Sequence, residues 1–139
     1  RRQRQMCIRD SDECAKHEVP MLLEPFMSDW VDGKAVNRLT AEAVELSVAI
    51  SSGLGSTSAW SWLKLPVVEN MERVMEATTL PTLLLGGEGS SDQEATFSSW
   101  SNALALPGVK GLVVGRTLLY PHDNDVSKAV AQAANLVHK

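Results

Sequence analysis

From Asp12 onward, short apolar runs alternate with longer amphipathic stretches. The spacing predicts the tail of a helix over residues 12–18, closed by Val19-Pro20. A short buried strand follows over 21–26, too brief for a helix and stopped by Pro25. Thr40 has the character of a cap, and Leu39, Ala43, Leu46 and Ile50 recur at helical spacing up to Gly53 and Gly55, which predicts a helix with those four on its apolar face. Residues 59–67 hold Trp60, Trp62, Leu63, Leu65 and Val67, a strand rich in aromatic and branched side chains. A short helix over 69–78 would bury Met71, Val74 and Met75, and a third strand over 81–85 ends at Gly86-Gly87. Ser91 and Glu94 have capping-box spacing and open a helix carrying Phe97, Trp100 and Leu104 to the Pro107-Gly108 turn. Strand four, 109–114, ends at Gly115-Arg116. Beyond Pro121 and Asp123, a last helix takes its apolar face from Val126, Val130, Ala133 and Val137.

A strand followed by a helix, four times over, implies an α/β fold with parallel pairing and right-handed crossovers, as in a doubly wound sheet or a (β/α)₈ barrel. A complete barrel needs about 250 residues, so four parallel βα units read as half of a TIM barrel. No short-period repeat suggests a solenoid. With 139 residues, 44% of them hydrophobic, the chain has material for one core and not two.

The net charge of −4 points away from nucleic acid and anionic membranes, so any anionic ligand must be held locally. No apolar run reaches the roughly 18 residues of a membrane helix, and no secretory signal opens the chain. The expectation is a cytoplasmic protein. Cys7 and Cys14 form no metal or redox motif. Residues 1–11 stand apart, with four arginines against one aspartate. They resemble the translation of a sequencing-adapter remnant and are read as a non-native, disordered tail, with the barrel-like domain spanning 12–139.

Parallel barrels carry function at the carboxyl ends of their strands, and here those ends carry Glu24, Lys64, Gly86-Gly87 and Gly115-Arg116. Glycines after the last two strands let backbone N–H groups approach phosphate oxygens, and Arg116 can add a charge-assisted contact. Lys64 lies between Leu63 and Leu65, so on a strand of period two it points opposite to both, into the barrel if they face the helices. Desolvation there favours the neutral amine, a nucleophile that condenses with a carbonyl to give an imine; a plain ion pair with Glu24 is the structural alternative. Glu24, in an otherwise apolar strand, suits proton transfer or that same pairing. Trp60, Trp62 and Trp100 read as packing residues, and His122 as a solvated turn histidine.

Leu23-Glu24-Pro25, Trp62-Leu63-Lys64-Leu65-Pro66, Leu85-Gly86-Gly87 and Gly111-Leu112-Val113-Val114-Gly115-Arg116 together resemble the second half of tagatose-bisphosphate-type class I aldolases, over roughly Asp12 to the C-terminus. The resemblance implies that Lys64 is the Schiff-base lysine of strand six, Glu24 the acid/base of strand five, and Gly86, Gly87, Gly115 and Arg116 the phosphate-binding positions after strands seven and eight. It implies carbon–carbon cleavage of a phosphorylated ketose or related sugar with no metal or other cofactor. The chain departs from the pattern at Pro66, where the family often has an acid, and in lacking the first four strands. Two other readings fit the same loops: an FMN-binding oxidoreductase barrel and a non-catalytic phosphosugar-binding barrel. The oligomeric state is left open, a homo-oligomer among the options.

Overall fold

The computed structural model describes residues 2–87 and 92–138. Its elements, in chain order, are α1 (Arg2–Lys16), β1 (Met21–Leu23), β2 (Ser28–Val31), β3 (Lys34–Asn37), α2 (Ala41–Ser52), β4 (Ser61–Pro66), α3 (Met71–Glu76), β5 (Thr82–Leu85), α4 (Gln93–Leu104), β6 (Val109–Val113), α5 (Arg116–Leu119) and α6 (Val126–Val137). Four strands form one sheet in the order β1-β4-β5-β6, every neighbour parallel. β2 and β3 form a separate antiparallel hairpin. Among the described residues no helix is long and apolar enough to cross a membrane.

The alternating pattern of β4 decides how the layers meet. Ser61, Leu63 and Leu65 are buried while Trp62 and Lys64 are only half-buried. Leu63, Leu65 and Leu84 join Val44 and Val48 of α2 and Met71 and Val74 of α3 in one apolar cluster, so the helices cover that face of the sheet. The other face carries Leu22, Trp62, Lys64, Leu83 and Leu85, because parallel register keeps paired residues on the same side. Arg73 clips α3 to α2 with Nη1 2.8 Å from Glu42 and Nη2 2.7 Å from Glu45.

Several elements differ from the sequence expectation. Residues 2–11 are helical, not a disordered tail: α1 packs Cys7 against the core, buries Ser11, and anchors Asp12 Oδ1 on the Ser56 N–H at 2.6 Å. Those tertiary contacts hold a segment whose composition alone looks foreign. α1 closes through Glu18 in the left-handed region, with Pro20 two residues on. The hairpin falls in a stretch the apolar pattern left unassigned, and its turn, Asp32-Gly33, has positive φ at both residues.

Thr40 does cap α2 and Ala43 is buried as expected, but the rest of the buried face is Ala41, Val44, Ser47, Val48 and Ser51, with Leu39 and Leu46 exposed. Small residues let this helix lie close on the sheet. α6 buries Ala133 as expected, together with Ala129, while Val126 and Val130 stay exposed. Asp92 caps α4, accepting from the Ala95 N–H at 2.9 Å, and Ser91 lies outside the described residues.

The Asp12 clamp makes the docking of α1 sensitive to acid. The Ser56 N–H, and after it the Ser56 hydroxyl, hold the Asp12 carboxyl below the usual aspartate range. A depressed folded value means stability that is present above the ordinary pKa of about 3.9 and is lost as pH falls through the folded value. Thermal melts from about pH 6 down to pH 2 are expected to show a smaller acid-induced loss in Asp12→Asn than in the wild type, with the variant the less stable at neutral pH. Parallel curves for the two proteins would contradict the clamp.

Candidate active site

Lys64 and Glu24 reach each other through sheet register. Leu22 pairs with Trp62, so two further residues bring Glu24, just past the end of β1, level with Lys64 and on the same face. Lys64 Nζ donates to Glu24 Oε2 at 3.0 Å. The lysine side chain is 21% exposed and the carboxylate 43%, so the pair is open to a solvent-borne ligand from one side and shielded by the sheet from the other.

The pair lines an open cleft of about 1110 Å³ along the carboxyl ends of the strands. Gly86, Gly87, Gly115 and Arg116 line the same cleft, so the expected lysine, carboxylate and glycine-loop positions share one space. Gly86 admits a close approach between strand ends: a Cβ built on it would lie 2.8 Å from Val114 Cγ1. Gly87 has φ +68°, a conformation that favours glycine. The Thr117 hydroxyl donates to the Gly86 carbonyl at 3.2 Å, tying the start of α5 to the end of β5. Gly115 faces open space, and Arg116 is exposed as the first residue of α5.

The cleft has walls that the sequence reading did not include. The hairpin contributes Ala35, Val36 and Asn37, and α4 contributes Thr96, Ser99 and Trp100. The Asp32-Gly33 dipeptide between two runs of strand formers is the signal by which the hairpin could have been found. Trp100 is 2% exposed and stacks edge-on with Phe97 at 5.1 Å, a packing role. His122 is exposed and apart from the cleft wall. Among the described residues no group of three or more His, Cys, Asp or Glu side chains is placed to hold a metal ion.

A parallel βα sheet with helices on one face, and a lysine–carboxylate pair and glycine loops at the carboxyl rim of the other, is the architecture of half a TIM barrel. It superposes on a Schiff-base-forming fructose-1,6-bisphosphate aldolase with a TM-score of 0.77 at 22% identity, covering 99% of this chain and 52% of that one. An archaeal fructose 1,6-bisphosphate aldolase gives 0.74 at 20% identity, covering 96% and 51%. At that identity the likeness is one of fold.

The chain belongs to the Cgl0159-like family, whose model matches residues 2–134. The crystal structure of Cgl0159 from Corynebacterium glutamicum (Brevibacterium flavum) is 60% identical with a TM-score of 0.94, covering 98% of this chain and 45% of that one. The chain thus spans about half the length of the solved structures it matches. No curated protein matches it.

The two ends of the glycine rim should respond differently to a methyl group. Gly86→Ala places its Cβ inside van der Waals contact of Val114 and is expected to destabilise by about 1–3 kcal/mol. Gly115→Ala projects into open space and should stay within about 0.5 kcal/mol of the wild type. Urea unfolding of both variants measures this; equal losses would mean that the close approach at Gly86 is not what constrains the rim.

Proposed function

We propose that this chain supplies the imine-forming half of a class I aldolase that cleaves a phosphorylated ketose or related sugar, with Lys64 as nucleophile, Glu24 as proton carrier, and Gly86, Gly87, Gly115 and Arg116 as the phosphate site. The observation that carries the reading is the 3.0 Å contact between Lys64 and Glu24 in a cleft shared with both glycine loops. The aldolase fold of the structural relatives supports it.

In this reading the ammonium of Lys64 passes one proton to the Glu24 carboxylate, and the freed amine attacks the substrate carbonyl carbon. The resulting carbinolamine loses its hydroxyl as water, with Glu24 returning the proton to the leaving oxygen, and a protonated imine remains. The protonated imine accepts the electron pair of the bond between its α and β carbons as that bond breaks, giving an enamine, while the β-hydroxyl loses its proton to a base and becomes the carbonyl of the released aldehyde. Glu24, deprotonated after the dehydration, takes that proton in this reading. The backbone N–H groups of the glycine loops, with Arg116, hold the phosphate and so fix the carbonyl over Nζ.

Incubation of the full-length protein with a panel of phosphorylated ketoses and sodium borohydride is expected to leave a reduced adduct on Lys64, read by peptide mass spectrometry. Lys64→Ala should abolish both adduct and turnover, and Glu24→Gln should lower turnover by about 10²–10⁴-fold, the usual contribution of a general acid/base. A wild-type protein that binds phosphosugars without any adduct would instead favour the non-catalytic barrel.

A further inference from the structure

The hairpin places one polar side chain in the cleft that the mechanism above does not use. We infer that Asn37 is a substrate-binding residue, donating its side-chain amide to a hydroxyl of a polyhydroxylated carbonyl substrate, with Ser28 as the positioning residue that sets the amide's orientation. The inference rests on the aldolase reading and narrows its substrate class.

Asn37 is the last residue of β3, pairs with Ser28 across the hairpin, and lines the cleft together with Lys64 and Glu24. The Ser28 hydroxyl donates to Asn37 Oδ1 at 2.6 Å. With the hydroxyl donating, the amide oxygen is the atom that faces Ser28. Ser28 is not part of the cleft wall, whereas Asn37 is. The amide group is planar, so with its oxygen turned to Ser28 its nitrogen, carrying two donor hydrogens, is the atom left for a ligand.

The base of the hairpin is held next to this pair: the Arg38 N–H donates to the Met27 carbonyl at 2.8 Å, and Arg38 Nε lies 3.5 Å from Asp29 Oδ2. These contacts hold the backbone at the base of the hairpin, and Ser28 holds the Asn37 head group. A neutral amide donor can bind a hydroxyl oxygen, and in the function proposed above the phosphate is taken by backbone N–H groups and Arg116. The cleft then divides its work, with charge at the phosphate end, imine chemistry in the middle, and hydroxyl recognition at the hairpin.

Two small probes separate this role from the rest of the site: dihydroxyacetone phosphate, and hydroxyacetone phosphate, which keeps the carbonyl and phosphate but has a methyl in place of the hydroxymethyl group. Borohydride trapping on Lys64 in the full-length protein, as a function of probe concentration, gives a half-saturating concentration for each. The wild type should favour the hydroxylated probe by roughly tenfold, the size of one neutral hydrogen bond. Asn37→Ala should erase that preference, bringing the two half-saturating concentrations together, with a wild-type-like thermal melt as the folding control. Ser28→Ala should lose part of the preference and Ser28→Thr, which keeps the hydroxyl, should restore it. An adduct in the wild type with the same preference in Asn37→Ala overturns the role of Asn37 alone. No adduct with either probe overturns the imine reading and this inference with it.

Discussion

Leu63 and Leu65 are drawn into the helix layer by contact with α2 and α3, and the pleat of β4 then leaves Lys64 nowhere to point but the opposite face. Apolar burial of its two neighbours therefore does what a costly internal salt bridge would otherwise have to do: it orients a cation without fully desolvating it. The lysine keeps about a fifth of its side chain exposed and has a carboxylate at 3.0 Å. Everything else at the rim is arranged around a group whose direction was settled by packing some distance below it.

The strand and helix order was legible because each parallel strand is an apolar run between breakers, and each helix between them buries one stripe. Lys64 and Glu24 were legible for the same reason: a charged residue inside such a run is conspicuous. The faces of α2 and α6 were harder to read. Leu46 and Val130 are larger apolar residues than the alanines and serines that pack there, and a pattern weighted by hydrophobicity favours them, whereas close approach to a sheet favours small side chains. Only the tail of the N-terminal helix was read; its first ten residues were missed because their composition looks foreign, and what fixes the helix is a set of long-range contacts, Asp12 to Ser56 above all, that no local window contains. The hairpin was missed because its strands are exposed throughout and carry no buried stripe; only the turn chemistry betrays it.

The family and the fold fit this picture at two depths. Identity of 60% over nearly the whole chain ties the sequence to Cgl0159, while the aldolases share the barrel half at 20–22%. At both ends of the sheet, apolar residues remain uncovered among the described residues, Leu22 on β1 and Val113 on β6 among them. Parallel strand edges of this kind are stable when further strands or helices cover them.

Gly86 is usually read as a concession to a ligand, but here it first serves another strand. By admitting Val114 at contact distance, and by accepting the Thr117 hydroxyl on its carbonyl, it joins the ends of β5 and β6 into a single body. Any ligand that settles on that part of the rim meets two chain segments that folding has already immobilised together. Their loss of conformational freedom belongs to the folding equilibrium, so it need not be subtracted again from the affinity, and the rim can discriminate between ligands by fit without first having to be assembled by them.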